Sequence, residues 1–221
     1  MSLIKSISGI RGTIGGKPMN NLTPLDIVRF SAAYGEYIKS QAQSSKCTVV
    51  IGRDARISGK MLQALVSNTL VGLGIDVIDI DMATTPTVEM MVPKLKAQGG
   101  IILTASHNPK QWNALKLLNA NGEFLNAKAG EKILAIAEEE NFDFAAVDDL
   151  GCIKEDKTSL SAHIKAVLEH PLVEVEKIKA TQLKVVVDGV NSIGGIAIPE
   201  LLRAFDVEVI ELFCEPNGQF P

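Results

Sequence analysis

The residue types suited to chemistry fall in a few short segments of this chain. Thr104-Ala105-Ser106-His107-Asn108-Pro109 follows directly on the apolar run Gly99–Leu103. That run reads as a buried strand, and open α/β sheets place their chemistry at the carboxyl ends of such strands. A serine hydroxyl is a poor nucleophile without a partner base. Alternatively it carries a phosphoryl group of about −1.5 to −2 charges, which needs backbone N–H groups, a metal or cationic side chains around it. Cationic side chains are present. Arg11 stands between glycines in Ser8-Gly9-Ile10-Arg11-Gly12, a pattern suited to backbone curling close to an anion. Gly52-Arg53-Asp54-Ala55-Arg56 places two arginines after another apolar run, and Lys116 follows Ser106 by ten residues. An arginine fork matches phosphate oxygens, and a lysine among other cations can serve as general acid or base.

Each of these residues also has a plainer reading. Arg11 and His107 could be loop residues, Asn108 a turn cap, Lys116 a solvated lysine and Trp112 a packing residue. Arg53, Asp54 and Arg56 suit an ion-pair cluster that pins their loop as well as a substrate contact, which leaves Arg53 and Asn108 as candidate substrate-binding residues. A Ser-His-Asp hydrolase lacks the Gly-x-Ser-x-Gly pattern, and His107 is too close in sequence to reach its neighbour's Oγ easily.

The elements that must hold these segments are legible from periodicity. A helix is expected over Thr23–Lys39, with Thr23 as cap and Pro24 in its first turn. A strand over Cys47–Ile51 is expected to stop at Gly52. The loop to Ile57 then leads into a helix capped by Ser58 and ended by Gly74. Asp76–Asp81 reads as a strand, Thr84–Thr87 as a loop, Thr87–Leu95 as a helix and Gly99–Leu103 as a strand. Ala114–Leu118 and Glu123–Leu125 flank Asn121-Gly122, a hairpin signal. A helix over Ala127–Glu140 follows. The acidic, aperiodic stretch Asn141–Lys157 marks a boundary near residue 153. Beyond it come a helix over Ser159–Leu168, a strand over Lys184–Asp188, a loop over Gly189–Gly195, where Asp188 and Asn191 suit loop stabilisation, a helix over Ile196–Phe205 and a strand over Glu208–Phe213. Strands alternating with helices imply an α/β fold: two consecutive domains, 1–152 and 153–221, with mixed, largely parallel sheets flanked by helices.

Composition agrees. The 221 residues are 46% hydrophobic and 22% charged, enough to bury a core. A net charge of −4 speaks against a general nucleic-acid binder, without forbidding a locally cationic cleft. Cys47, Cys152 and Cys214 form no CxxC pair, so the thiols are expected to be reduced and the protein cytoplasmic. Neither a signal-peptide stretch nor a run of membrane-spanning length is evident, so no membrane partner is expected.

Taken in order, these segments resemble the α-D-phosphohexomutases, which include phosphoglucomutase/phosphomannomutase and phosphoglucosamine mutase. Thr104–Pro109 resembles their phosphoserine loop, Gly9-Ile10-Arg11-Gly12 their N-terminal motif, and Gly52–Arg56 with Ser58-Gly59 their Gly-Arg-Asp-x-Arg segment. Thr85-Pro86-Thr87 is similar to their Thr-Pro turn. Val185–Gly194, Glu215-Pro216 and Phe220-Pro221 are similar to the start of their second domain. The resemblance implies a four-domain enzyme that moves a phosphoryl group between C1 and C6 of a hexose phosphate. Phospho-Ser106 would donate to the sugar and be regenerated from a bisphosphorylated intermediate. It implies that Arg11 and Lys116 flank the transferring group, that Lys116 is the general acid/base and that His107 lines the site. It also implies Mg²⁺ held by the Ser106 phosphate and by aspartates. The family's metal loop Asp-Gly-Asp-x-Asp-Arg, sugar loop Gly-Glu-x-Ser-Gly and phosphate loop Arg-x-Ser-Gly-Thr do not occur in the chain. The expectation is therefore an N-terminal piece, without turnover or tight Mg²⁺ binding, whose partners are the sugar phosphate and the missing C-terminal domains. Ile7-Ser8 stands where the family more often has Thr-Asp. A serine hydrolase and a non-catalytic sugar-phosphate-binding module are the competing expectations.

Overall fold

The computed structural model describes residues 2–6, 9–42 and 46–221. Ser8 of the arginine–glycine segment and the Ile7-Ser8 departure lie outside the described residues. Nine strands and seven α-helices follow in the order β1 (Ile4–Ser6), β2 (Gly9–Thr13), α1 (Pro24–Gln41), β3 (Thr48–Arg53), α2 (Gly59–Gly72), β4 (Asp76–Met82), α3 (Thr85–Lys94), β5 (Gly99–Leu103), β6 (Trp112–Leu118), α4 (Ala127–Glu139), β7 (Ile153–Glu155), α5 (Ser159–Leu168), α6 (Val175–Ala180), β8 (Lys184–Asp188), α7 (Gly194–Ala204) and β9 (Glu208–Leu212), as counted among the described residues.

The large sheet has the order β1-β2-β6-β5-β3-β4-β7. β5, β3, β4 and β7 pair parallel, whereas β1-β2, β2-β6 and β6-β5 pair antiparallel. Following those directions along the sheet, only β1 and β6 run against the rest. α1, α2 and α4 cover one face, where Phe30, Ile51, Leu62, Leu70, Ile101 and Leu115 are buried together. α3 covers the other through Val88, Met91 and Val92, packed on Val50 and Ile102. Burial of side chains this size contributes roughly 1.5–3 kcal/mol each. A second sheet, β8-β9, is parallel.

Apart from α6, which was not expected, the helices begin where the sequence signals put them or close to it. Thr23 and Asp26 form a reciprocal capping box on α1. Thr84 caps α3 by accepting from the Thr87 amide, so this helix starts at Thr85 and absorbs the expected loop; Pro86 is tolerated because the first-turn N–H groups have no intrahelical partner. Ser58 makes no capping bond; its hydroxyl accepts from Asn113 Nδ2 at 2.9 Å.

Several strands depart from expectation: β1 and β7 were not expected, and β6 begins at Trp112 rather than Ala114. β3 does not stop at Gly52 but continues to Arg53. A Cβ at Gly52 would lie 2.6 Å from Val88 Cγ2, so the glycine admits α3 rather than ending the strand. The Arg11 segment is a strand, β2, not an anion-cradling curl. Gly9 sits at φ +138, where an added Cβ would lie 2.1 Å from the Leu115 carbonyl oxygen, so this glycine lets β2 and β6 approach. The expected hairpin at Asn121-Gly122 shrinks to a single antiparallel bridge, Leu118 to Phe124. Asn119 Oδ1 takes over the pairing by accepting from the amides of Asn121 and Glu123.

β7 bears on the division of the chain. Ile153–Glu155 pairs with β4 as the edge of the large sheet, so a boundary at 152/153 would separate this strand from its ladder. α5 packs against α3, where Thr87 Oγ1 and His163 Nδ1 lie 2.9 Å apart. Burial lowers the His163 pKa from 6.5. The unfolded chain then takes up this proton at higher pH than the folded one. The contact's stability is therefore full above pH 6.5 and declines as pH falls through the window between 6.5 and the lowered value. We expect the stability difference between the native protein and His163→Gln, measured by urea unfolding, to shrink as pH falls from about 7.5 to 5. A difference independent of pH would contradict this.

Candidate phosphoserine site

Ser106 heads a tight loop between β5 and β6. Its own backbone is left-handed, at φ 56, a conformation that a serine holds only when its surroundings dictate it. Those surroundings are a chain of buried polar groups. The Ser106 amide donates to Thr104 Oγ1 at 3.0 Å, and the Thr104 hydroxyl donates to Asp54 Oδ2 at 2.6 Å. Asp54 Oδ1 also accepts from the Arg56 amide, and Oδ2 accepts from Arg56 Nε at 3.1 Å.

Arg56 is the centre of the loop. It is 2% exposed, and its remaining guanidinium N–H groups reach four carbonyls. Nη2 donates to Ser106 at 2.8 Å and Asn108 at 2.7 Å, and Nη1 donates to Pro109 and Trp112, both at 2.9 Å. All five donors of the fork are therefore used. Burial presses the Arg56 pKa downward, and the Asp54 carboxylate opposes that.

On the far side of the loop lies a cavity of about 390 Å³ that gathers Arg11, Ser106, His107, Asn108 and Lys116. The register of two strands brings the cations together. Arg11 of β2 faces Ala114, and Gly9 faces Lys116 of β6. Side chains alternate along strands, so Arg11 and Lys116 share one face, that of α3. Lys116 is half-buried with Nζ 5.8 Å from the Phe124 ring centre. Its pKa is lowered from 10.5, first by desolvation and further by Arg11, against the opposing pull of Glu89 and Asp54. Ser106 and His107 are exposed, and they also line a second cavity of about 660 Å³ towards Val190, Ser192 and Phe220.

The lowered Lys116 pKa has a checkable consequence. The amine loses its proton below the ordinary lysine range, and stability rises with pH through the window between the lowered value and 10.5, because there the unfolded chain holds the extra proton. We expect pH-dependent acetylation of Lys116, followed by peptide mass spectrometry, to show a midpoint below 10.5 that moves upward in Arg11→Ala. A midpoint at or above 10.5 in the native protein would contradict the assignment.

Arg53 does not join the cavity. It is 4% exposed, and its guanidinium donates to Gln63 Oε1 at 2.9 Å, Asp81 Oδ1 at 2.6 Å and the Asp54 carbonyl at 3.1 Å. The expected substrate contact is thus replaced by an internal role: a buried guanidinium needs acceptors, and these three engage it. Within the Arg53, Asp54 and Arg56 group, Arg56 pairs with Asp54 and is the residue that shapes the serine loop. Its signal was the Asp-x-Arg spacing directly after a buried strand, since a short loop there can bury an arginine only beside a carboxylate. Trp112 opens β6, half-buried opposite Thr13. Asp188 and Asn191 stabilise their loop: Asp188 Oδ1 accepts from the Val190 amide, and Asn191 Nδ2 donates to the Gln219 carbonyl.

For a hydrolase, Ser106 would need a histidine. Among the described residues no hydrogen bond joins His107 to the Ser106 hydroxyl; His163 Nδ1 is engaged by Thr87 and His170 Nδ1 by the Leu172 amide. The magnesium implied by resemblance has one candidate ligand here, an oxygen on Ser106. Among the described residues no three His, Cys, Asp or Glu side chains form a metal-binding group, and Asp54 is engaged by Arg56 and Thr104. The residues present therefore do not make up a magnesium site, and no step below runs through one.

Comparison with known proteins decides the family. Residues 3–144 match the family model described as phosphoglucomutase/phosphomannomutase, alpha/beta/alpha domain I, and residues 161–221 match its domain II. The chain belongs to the phosphoglucomutase/phosphomannomutase family. The two matched ranges leave residues 145–160, which include β7, between them. A phosphoglucomutase/phosphomannomutase from Thermococcus kodakarensis is 33% identical over 95% of this chain and 46% of its own length. A probable phosphoglucosamine mutase from Methanobrevibacter smithii is 34% identical over 97% and 45%. The crystal structure of a putative phosphomannomutase from Thermus thermophilus superimposes with a TM-score of 0.84 over 100% of this chain and 48% of that one; at 24% identity it speaks for the fold. The chain thus spans about half the length of the family members it matches. No helix among the described residues is long and apolar enough to cross a membrane.

Proposed function

We propose that Ser106 is the phosphoryl carrier of a phosphohexomutase that interconverts hexose 1- and 6-phosphates through a bisphosphorylated sugar. One observation carries the reading: the register of β2 on β6 puts Arg11 and Lys116 in the same cavity as an outward-facing, conformationally constrained serine. In the first step the Ser106 Oγ–P bond breaks as a sugar hydroxyl oxygen bonds to phosphorus. The hydroxyl proton passes to a base, for which Lys116 with its lowered pKa is suited. Reversal at the other phosphate restores phospho-Ser106. Arg11 offsets the charge on the transferring group, and Asn108 and His107 border it. Names among the relatives favour glucose, mannose or glucosamine phosphate as the substrate class. We place the protein in the cytoplasm, infer that Mg²⁺ would be held mainly by residues outside this chain, and expect complete turnover to need those residues.

The test is phosphoryl transfer to the protein. Incubation with ³²P-labelled hexose 1,6-bisphosphate should label the peptide containing residues 104–109. Labelling elsewhere, or reaction of Ser106 with a fluorophosphonate hydrolase probe instead, would overturn the proposal.

A further inference from the structure

The Phe220-Pro221 motif has no part in phosphoryl transfer as described. Its surroundings are nevertheless specific. The loop after β8 holds Gly218 and Gln219 through Asn191, whose carbonyl accepts from the Gly218 amide at 3.0 Å and whose Nδ2 donates to the Gln219 carbonyl at 2.7 Å, while its own amide donates to the Phe213 carbonyl at 2.5 Å. Gly218 sits at φ +74, and a Cβ there would lie 2.2 Å from the Ala55 carbonyl oxygen. The backbone at 218 therefore rests directly on the Gly52–Arg56 segment of the first unit. Two residues further, the Phe220 ring centre lies 4.9 Å from Arg56 Cζ.

Arg56 spends every in-plane donor on Asp54 and the serine-loop carbonyls. Its π face is what remains for contact, and Arg56 Cζ lies over the Phe220 ring. A stacked aromatic suits a planar guanidinium, and the attraction grows when water is excluded. The contact thus links the second unit to the Ser106 carbonyl through one side chain.

We propose that Phe220 is a positioning residue: by stacking on Arg56 it holds the Ser106 loop in its left-handed conformation, so that docking of residues 217–220 sets the order of the loop. The coupling is reciprocal, so a change at Ser106 that stiffens the loop also tightens the 217–220 segment. Its catalytic consequence rests on the phosphoryl-carrier reading, but the mechanical link does not.

Hydrogen–deuterium exchange on the 221-residue chain tests the link. The amides of Ser106, Asn108 and Trp112 are each hydrogen-bonded within the loop and report its opening. Phe220→Leu keeps apolar cover but loses the aromatic face. It should speed exchange at these amides about 5-fold while leaving α4 and β4 unchanged. Phe220→Tyr should restore native rates. Unchanged loop amides in Phe220→Leu, equal acceleration in Phe220→Tyr, or uniform acceleration across the chain would each overturn the proposal. Intact mass after incubation with hexose 1,6-bisphosphate is read separately. Coupling without phosphate on Ser106 removes the carrier reading alone, and phosphate without coupling removes this proposal alone.

Discussion

A Ser106→Ala chain is expected to accept no phosphoryl group from hexose 1,6-bisphosphate, whereas the native chain gains about 80 Da, the mass of a serine phosphoester. On the proposed reading the effect is all-or-none, because the bond that forms is to Ser106 Oγ. Arg11 and Lys116 can attract a phosphate but offer no oxygen to esterify. Neighbouring hydroxyls are poor substitutes, since the Thr104 Oγ1 is buried between the Ser106 amide and Asp54. Intact-mass spectrometry after the reaction, with and without phosphatase, reads the outcome. A phosphatase-sensitive adduct that persists in Ser106→Ala would mean another residue carries the group. The alanine should leave the fold intact, because Ser106 is exposed and its loop is held by backbone groups. Equal urea midpoints for the two proteins would verify that.

Arg56→Ala is expected to have the largest effect on stability. It strands the Asp54 carboxylate, whose side chain is 10% exposed, and removes the donors to four carbonyls of the serine loop. Breaking one side of a buried ion pair costs about 3–5 kcal/mol. For a protein of this size that lowers the thermal midpoint on the order of 10 °C. Arg56→Lys should recover only part, since an ammonium has three donors without the planar fork. Calorimetry and urea titration measure both. A loss under about 1 kcal/mol in Arg56→Ala, typical of an exposed pair, would show that the loop does not depend on this residue.

These two residues separate what could be read along the chain from what could not. Ser106 was visible because its neighbourhood is local: an apolar run, then a polar hexapeptide, with cations in other short segments. The strand Gly99–Leu103 and most helices were equally plain, since capping and apolar periodicity are sequence-local properties. Arg53 and Arg56 were not separable, because both follow one strand and differ only in which way their side chains turn. Arg53 turns towards Gln63 and Asp81, and Arg56 turns under the serine loop. The β2 strand was missed for a related reason: Gly9 and Gly12 weaken any strand signal, and their purpose, close approach to β6 and Leu22, is a tertiary fact. Gly52 misled in the same way.

By itself, then, the sequence determined an α/β chain of the phosphohexomutase type and marked Ser106, Arg11 and Lys116 as candidates for its chemistry, because motif, period and cap are written in neighbouring letters. Only the tertiary structure decided that β2 lies beside β6, that Arg53 is an internal anchor, that Arg56 carries the serine loop, and that Phe220 reaches it from the second unit. Each of these depends on which strands pair and which side chains exclude water, and neither is encoded in any one stretch of chain.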